Sequence, residues 1–497
     1  MHYVSLIIEF LRGRPRFVFW AATLTQAALW VLVPSLTYSS PPGDVPTLLA
    51  TGHELLLGSE RGPPLAFWLG ELAFRIAGIV GVYILAQACI VATYWAVFTL
   101  GRAIVGIRHA VLAVLLMVGI AAFTMPTANF GPSVLAAPFW ALSLLFYWRA
   151  LEGRRDAWFL LAITLGVLLL SSLVGVILLG LMILFTLSTA EGRRALLHPE
   201  PWVASVLFAI VVFPFGLWAA RNHEIVLAGI LGPDTTGHSA LWLASLISGT
   251  HLGMMLLIAL VSGFPRHKKQ QAPEIDRTMP VGTAARIYIY TFAIVPMLVA
   301  VAVAAALHRA GPLAPVAPLV VLSTLAIMVF AGDRVRLFRE RIVSSAWLGF
   351  LTIPPALAAF SIVLTPWVTK SELATAQPSR AEAAFFAEAF TRRTGKPLRY
   401  VAGDPQVAPL IAVAAPMRPH VYFDWAPQQS RWATPEDIKR DGGVLVWPAP
   451  GTARNPPQRL LDQFPGLVPE VPQTFRRPVN GLLPPVRLGW AVIRPAQ

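Results

Sequence analysis

Three observations predict a polytopic α-helical membrane protein followed by a soluble C-terminal α/β domain. Of the 497 residues, 56% are hydrophobic and only 13% charged, too apolar a mixture for a globular protein of this size. Apolar runs long enough to cross a bilayer recur between residues 17 and 366. Beyond residue 366 the chain turns Pro-rich and charged on both signs. The net charge of +14 raises nucleic acid as a partner, but a nucleic-acid binder gathers its basic residues on one soluble face with aromatics between them. Here the basic clusters sit between apolar spans, so no nucleic acid is expected.

Eleven runs qualify as spans, with limits near 17–36, 78–100, 109–126, 131–148, 157–171, 173–190, 201–220, 240–262, 287–307, 313–331 and 343–366. The fifth and sixth form one long apolar stretch, which Ser171, Ser172 and Gly175 break. Arg12, Arg14 and Arg16 precede the first span and no small-residue cleavage site follows it, the pattern of an uncleaved first span rather than a signal peptide. The single cysteine, Cys89, lies inside a span, which excludes a disulfide framework or a thiolate metal site and leaves packing as its role.

Charge orients the spans, because Lys and Arg are retained in short cytoplasmic loops. With the N-terminus inside, the cytoplasmic segments hold 19 Lys and Arg residues and the opposite loops only Arg61, Arg75, Arg221 and Arg309. An odd number of spans then puts the first loop, 37–77, and the whole C-terminal region on the outer side. The expected domains are a membrane domain over 1–366 and an extracytoplasmic α/β domain over 367–497.

That C-terminal domain reads as alternating helices and strands. Ser379 and Glu382 have the spacing of a capping box, with Gly395 as the helix stop. The strand-like "LRYVA", "HVYFD" and "GVLVW" alternate with helix-like segments, an order that predicts three layers around a mainly parallel sheet. No glycine-rich phosphate loop follows any of these strands, so nucleotide binding is not expected.

The first outer loop, "GDVPTLLATGHELLLGSERGPPLAFWLGE", carries the candidate chemistry. Pro41, Pro42 and Gly43 hold Asp44 in a turn. Two interfacial helices are expected after it, the second starting at the Pro63-Pro64 pair with Phe67 and Trp68 at headgroup depth. Asp44 reads either as a turn carboxylate or as a catalytic one, and Arg61 either as a lipid-facing cation or as an anion site. His53, Glu54 and Glu60, with Arg221 and His223 from a later outer loop, are candidate donor or acceptor contacts. Asp234 and His238 in that later loop complete no metal spacing, so no metal ligand is assigned. A divalent metal stays open without being indicated, and no cofactor is assigned.

The layout of the loop resembles the GT-C membrane glycosyltransferases, within them the aminoarabinose-transferase and protein O-mannosyltransferase group. The similarity is clearest over residues 43–70, over "PFWALSLLFYWRAL" with Trp158, and over "GKPLRYVAGDPQVAPLIAVAAPMRPHVYFD". The resemblance implies a GT-C-like fold and transfer of a hexosyl or pentosyl unit from a polyprenyl-phosphate donor to a lipid, glycan or protein acceptor. It implies a site at the outer face of a bacterial cytoplasmic (inner) membrane, among membrane lipids. It also implies roles: Asp44 to orient or deprotonate the acceptor, and Arg61, where the family usually has Lys, to bind the donor phosphate as it leaves. Val45, Ser59 and Gly62 depart from the family's usual side chains. A catalytically inactive lipid-binding scaffold therefore stays open as an alternative. A lipid or solute transporter is a further one, though the spans carry almost no ionisable residues away from their ends and no inverted repeat is evident.

Overall fold

A computed structural model of the chain describes residues 9, 11–125, 127–231, 239–262, 274–277, 280–313, 315–336, 340–369, 371–423, 430, 432–449 and 455–496. Asp234 and His238 lie outside the described residues. The chain divides into two compact units, one of Met1–Leu32, Glu60–Leu65 and Ile84–Ala356, the other of Val33–Ser59, Ala66–Tyr83 and Leu357–Gln497. This division does not follow the boundary expected at residue 366, because much of the first outer loop belongs with the C-terminal residues.

The first unit is helical. Seven described helices are long and apolar enough to cross a membrane: Pro15–Thr37, Leu65–Ile104, Pro132–Leu151, Glu200–Arg221, Ala240–Ser262, Thr283–Ala306 and Arg341–Val368. Four shorter apolar helices, Ile107–Met117, Asp156–Ser171, Gly175–Ser188 and Val316–Phe330, occupy the other four predicted runs. The expectation of eleven full spans is thereby corrected to seven span candidates among the described residues. In the 109–126 run hydropathy extends past Met117, where the helix ends, whereas the Asp156–Ser171 helix ends at Ser172, with φ of -159° and ψ of 137°, at the break read from the sequence.

Composition explains why these helices need lipid. Along Glu200–Arg221 the large side chains Trp202, Val206, Ile210, Phe213 and Leu217 are all exposed, an apolar stripe far larger than a soluble monomer tolerates. Facing inward, small residues allow close approach: a β-carbon on Gly166 would meet Val211 at 2.7 Å. Some polar groups inside the bundle are paired with one another or with backbone. Gln26 donates to the Phe123 carbonyl at 2.6 Å and Gln87 to the Thr127 hydroxyl at 2.8 Å, as the lack of water among spans favours, whereas both ring nitrogens of buried His109 and the hydroxyls of Thr23 and Thr324 have no hydrogen-bond partner. Cys89 is buried and free.

The 40-residue helix Leu65–Ile104 is two helices in sequence, because Ala77 and Gly78 leave helical geometry and Gly78 takes φ 60° and ψ -150°. Only glycine adopts that conformation without strain, and the break falls where the second predicted span begins.

Two short strands of the first unit, β1 at Glu274–Asp276 and β2 at Arg334–Arg336, pair antiparallel. In the second unit a five-stranded sheet has the order β4-β3-β5-β7-β6, with β3 at Tyr400–Gly403, β4 at His420–Phe423, β5 at Gly443–Pro448, β6 at Gln473–Phe475 and β7 at Val486–Ile493. β3 runs parallel to β4 and β5, whereas β7 is antiparallel to β5 and β6. The sheet is therefore mixed rather than mainly parallel, through two strands the sequence pattern did not reveal. Both faces are covered, as three layers require. Val444 and Val446 pack with Phe386 and Ile411 on one side, and Leu445 and Trp447 with Ile438 and Leu460 on the other, the period-two alternation of a strand.

The helix Ser379–Thr394 stops at Gly395, in the left-handed conformation, as its sequence predicts. Its start differs: Pro378 is the N-cap with no side-chain cap bond, so the capping box does not form. Ser379 instead accepts a hydrogen bond from the Ser40 hydroxyl at 2.8 Å. Glu382 is left 1% exposed with neither carboxyl oxygen hydrogen-bonded. Burial, with the nearby Glu372 charge, pushes its carboxyl up to about 7, against the opposing pull of Arg477. A raised acid makes the folded state bind more protons than the unfolded one between the ordinary glutamate value and about 7, so stability falls as pH rises through that window. Glu382→Gln should flatten this decline and raise the unfolding midpoint at pH 8. Thermal unfolding of both proteins in detergent across pH 4 to 8 would show it, and parallel curves would exclude it.

Candidate functional site

Asp44 and His53 bracket the helix Val45–His53, whose residues Val45 to Gly52 are all buried. The helix forms where the sequence places it, but it is not the interfacial helix expected. It packs against the Ala408–Ala414 helix and β4 of its own unit, and Ala50 joins the core that contains Phe386 and Ile411. Its composition explains this, since Val45, Leu48, Leu49 and Ala50 present apolar surface around most of the turn. The preceding chain is tied to the same domain, Ser39 and Ser40 both donating their backbone N–H to the Thr375 carbonyl.

The other end of the helix is clamped by charge. Gly52 faces Phe67 so closely that a β-carbon there would lie 2.4 Å from the Phe67 carbonyl oxygen and 3.1 Å from Glu71 Cβ. Glu71, on the first part of the broken helix, is 3% exposed in its side chain. Its Oε1 accepts from Arg75 Nε at 2.8 Å and lies 3.2 Å from His53 Nδ1. Its Oε2 accepts from Arg418 Nη2 at 2.7 Å, and the same nitrogen donates to the Leu49 carbonyl at 3.2 Å. Arg418 also stacks over the Phe74 ring at 4.4 Å, while its backbone takes a positive φ of 47°. Beside this group Glu54 Oε1 contacts His420 Nδ1 at 2.7 Å, and the His53 and His420 rings lie 5.7 Å apart.

The electrostatics follow from this geometry. Burial works against the charged form of Glu71, and the hydrogen bonds of His53 and Arg75 with the charge of Arg418 replace its lost hydration. Burial lowers the Arg418 value, and Glu71 opposes that. His420 is raised, chiefly by its hydrogen bond to Glu54, with burial acting against it. One buried carboxylate thus serves two guanidinium groups, and Glu54 beside it supplies a second negative charge.

Asp44 is the contrasting carboxylate. It is exposed, and although its backbone carbonyl accepts from the Leu48 N–H at 2.9 Å, its side chain makes no capping bond and, among the described residues, no ion pair. An acidic side chain kept unengaged on a rigid buried helix is available to an incoming group.

The remaining candidates lie in the first unit. Glu60 and Arg61 are half-buried in a turn before Pro63 and Pro64, and Arg61 is engaged in a contact inside the protein. This turn rests on the helix His223–Leu231: a β-carbon on Gly229 would lie 2.4 Å from the Glu60 carbonyl oxygen. Arg221 ends one helix and His223 begins the next, both exposed. The second unit therefore brings His53 and Glu54 together with Glu71, Arg75, Arg418 and His420. The sequence reading gave those four no site role, although Glu71 closes the loop motif and Arg418 and His420 lie in the tail segment that resembles the family. An acid and a base at i and i+4 in an apolar helix, Glu71 and Arg75, were the available signal. Among the described residues no group of three His, Cys, Asp or Glu side chains is placed to hold a metal.

Residues 61–218 match the family model of dolichyl-phosphate-mannose-protein mannosyltransferases, a segment that begins at Arg61 and excludes Asp44. Among solved structures, ArnT from Cupriavidus metallidurans bound to undecaprenyl phosphate is similar over 97% of this chain and 99% of its own, with 13% identity and a TM-score of 0.52. Its apo state matches over the same shares with 14% identity and a TM-score of 0.51. A comparison with curated proteins found no match. At these identities the structural likeness is one of fold. The resemblance to GT-C transferases drawn from the sequence is borne out in the matched segment and in the fold.

The clamp carries two predictions. Glu71→Ala leaves the buried Arg418 charge without a counterion and should destabilise the protein by roughly 3–5 kcal/mol. Arg418→Ala should cost less, because Glu71 keeps Arg75 and His53. Unfolding midpoints of both variants equal to that of the native protein would show that the clamp is unimportant. Separately, the raised His420 value means that its ion pair with Glu54 stabilises fully below about pH 6.5, the unfolded value, and is lost as pH rises through the folded value. His420→Asn should remove that part of the pH dependence of thermal stability, and an unchanged profile would count against the pairing.

Proposed function

For a chain that matches the dolichyl-phosphate-mannose-protein mannosyltransferase family over residues 61–218 and has the fold of ArnT, we propose transfer of a sugar from a polyprenyl-phosphate donor. The family match is the observation that carries this reading. It is supported by the ArnT structure, which holds undecaprenyl phosphate. The acceptor is a lipid, glycan or protein at the outer face of a bacterial cytoplasmic membrane. The excess of Lys and Arg in alternate loops supports a cytoplasmic N-terminus and a C-terminal domain on the outer side.

The chemistry divides between two residues. Asp44 accepts the proton from the acceptor nucleophile, or orients it, as the nucleophile forms its bond to the anomeric carbon. The bond from that carbon to the phosphate oxygen breaks, and the electron pair leaves with the polyprenyl phosphate. Arg61 stabilises the departing phosphate, a role in which a preorganised cation contributes more than it would in water. Glu71, already consumed by three donors, is a structural counterion in this scheme, and the unengaged Asp44 is the reactive carboxylate.

Asp44→Asn should leave the protein folded and inserted while abolishing release of polyprenyl phosphate from sugar-loaded lipid in proteoliposomes supplied with membrane extract. Arg61→Ala should lower donor turnover by about 10²–10³-fold, and Arg61→Lys should recover part of it, since Lys keeps the charge but not the planar fork. Turnover at the normal rate by the Asn variant would remove Asp44 from the chemistry. Absence of turnover in the native protein with every acceptor fraction would favour the scaffold reading.

A further inference from the structure

The first unit contains a cavity of about 690 Å³ that the transfer chemistry does not use. It lies among the helices Pro15–Thr37, Ile107–Met117, Leu252–Ser262, Ser323–Phe330 and Glu340–Val368, and its size falls within the roughly 300–1,000 Å³ of ligand sites. Its walls are apolar, with Phe17, Leu112, Leu257 and Met328 as examples, and the side-chain polarity is confined to Thr25, Ser262, Ser344, Trp347 and Arg336. Trp347 is already satisfied, since its Nε1 donates to the Leu115 carbonyl at 2.9 Å. Three scattered hydroxyls cannot give each water the two to four partners it requires, so an apolar occupant fits this space better than water.

One rim of the cavity is basic. Arg336 lines it, and Arg336 Nε donates to the Glu274 carboxylate at 2.8 Å. Arg12, next to the lining residue Leu11, donates to the Glu274 backbone carbonyl at 2.6 Å. The two guanidinium groups thus converge on a residue that supplies a single carboxylate. Arg12 and Arg336 are both exposed. An apolar slot beneath exposed arginines complements a molecule with a hydrocarbon chain and an anionic headgroup. A free phosphate would leave the slot unfilled, and a neutral lipid would leave the arginines unused.

We propose that this cavity takes an acyl chain of an anionic phospholipid, whose phosphate contacts Arg336 and Arg12. The site is separate from the donor site, because Arg61 does not line it, and the inference does not depend on the transferase reading. Its occupation would tie the N-terminal helix to the Glu340–Val368 helix through the lipid chain.

Native mass spectrometry of the full chain, released from nanodiscs of equal phosphatidylglycerol and phosphatidylcholine with identical chains, tests the proposal. Phosphatidylglycerol should be retained preferentially. Arg336→Gln and Arg12→Gln should each lower that preference by about fivefold, and Ala21→Trp or Ser344→Trp, which fill the cavity, should lower retention of both lipids. The fillers are scored only when their unfolding midpoints match the native protein, and the two arginine variants keep the test decisive if neither filler folds. Equal retention of the two lipids, or retention unchanged by a folded filler, would overturn the proposal. So would displacement of phosphatidylglycerol by equimolar undecaprenyl phosphate together with loss of that displacement in Arg336→Gln, which would make the cavity a polyprenyl-phosphate site.

Discussion

A single buried carboxylate, Glu71, joins segments of the second unit that are far apart in sequence. Withdrawing a carboxylate from water costs several kcal/mol unless charged partners and hydrogen bonds replace its hydration. Here the replacements come from His53, Arg75 and Arg418, one from the first outer loop, one from the same helix and one 347 positions further on. All must be in place together, so the loop folds as part of the C-terminal domain and not as an independent flap on the membrane. The close approach at Gly52 depends on the same clamp, because the two helices meet with no room for a β-carbon.

This arrangement separates two carboxylates that look alike in composition. Glu71 is fully committed to structure, while Asp44 stands exposed and unengaged at the opposite end of a helix whose next eight residues are buried. Rigid support with a free functional group is the condition for positioning a reacting partner. In the helical unit the same economy appears in another form. Interior polar groups such as Gln26, Tyr94 and Gln87 bond to other side chains or to backbone, and its outward surface is left to lipid.

Much of this was legible in the chain. The kink at Gly78, the break after Ser171, the glycine stop at Gly395 and the three parallel strands all fall where local pattern puts them. The run at 109–126 was over-read, because apolar composition continues past Met117, where the helix ends, while Asp156–Ser171 and Gly175–Ser188 match their runs closely and are short for a span. β6 escaped because three residues carry no readable alternation, whereas the eight-residue β7 does alternate over Val486–Trp490 and follows a Pro-rich segment. The amphipathic reading of Val45–His53 went astray for a related reason. An apolar helix covered by protein and one covered by lipid have the same sequence signature.

The sequence by itself determined the membrane character, the positions of the apolar helices, the charge bias between alternate loops, the α/β nature of the C-terminal region and Asp44 and Arg61 as candidates. These are properties of residues taken singly or with near neighbours, governed by transfer free energy and local conformational preference. Only the tertiary structure decided that Glu71 is neutralised while Asp44 is not, that His420 pairs with Glu54, and that the first loop packs on the C-terminal domain. Charge pairing and burial depend on distances of a few ångströms between segments hundreds of residues apart, and no local pattern encodes those distances.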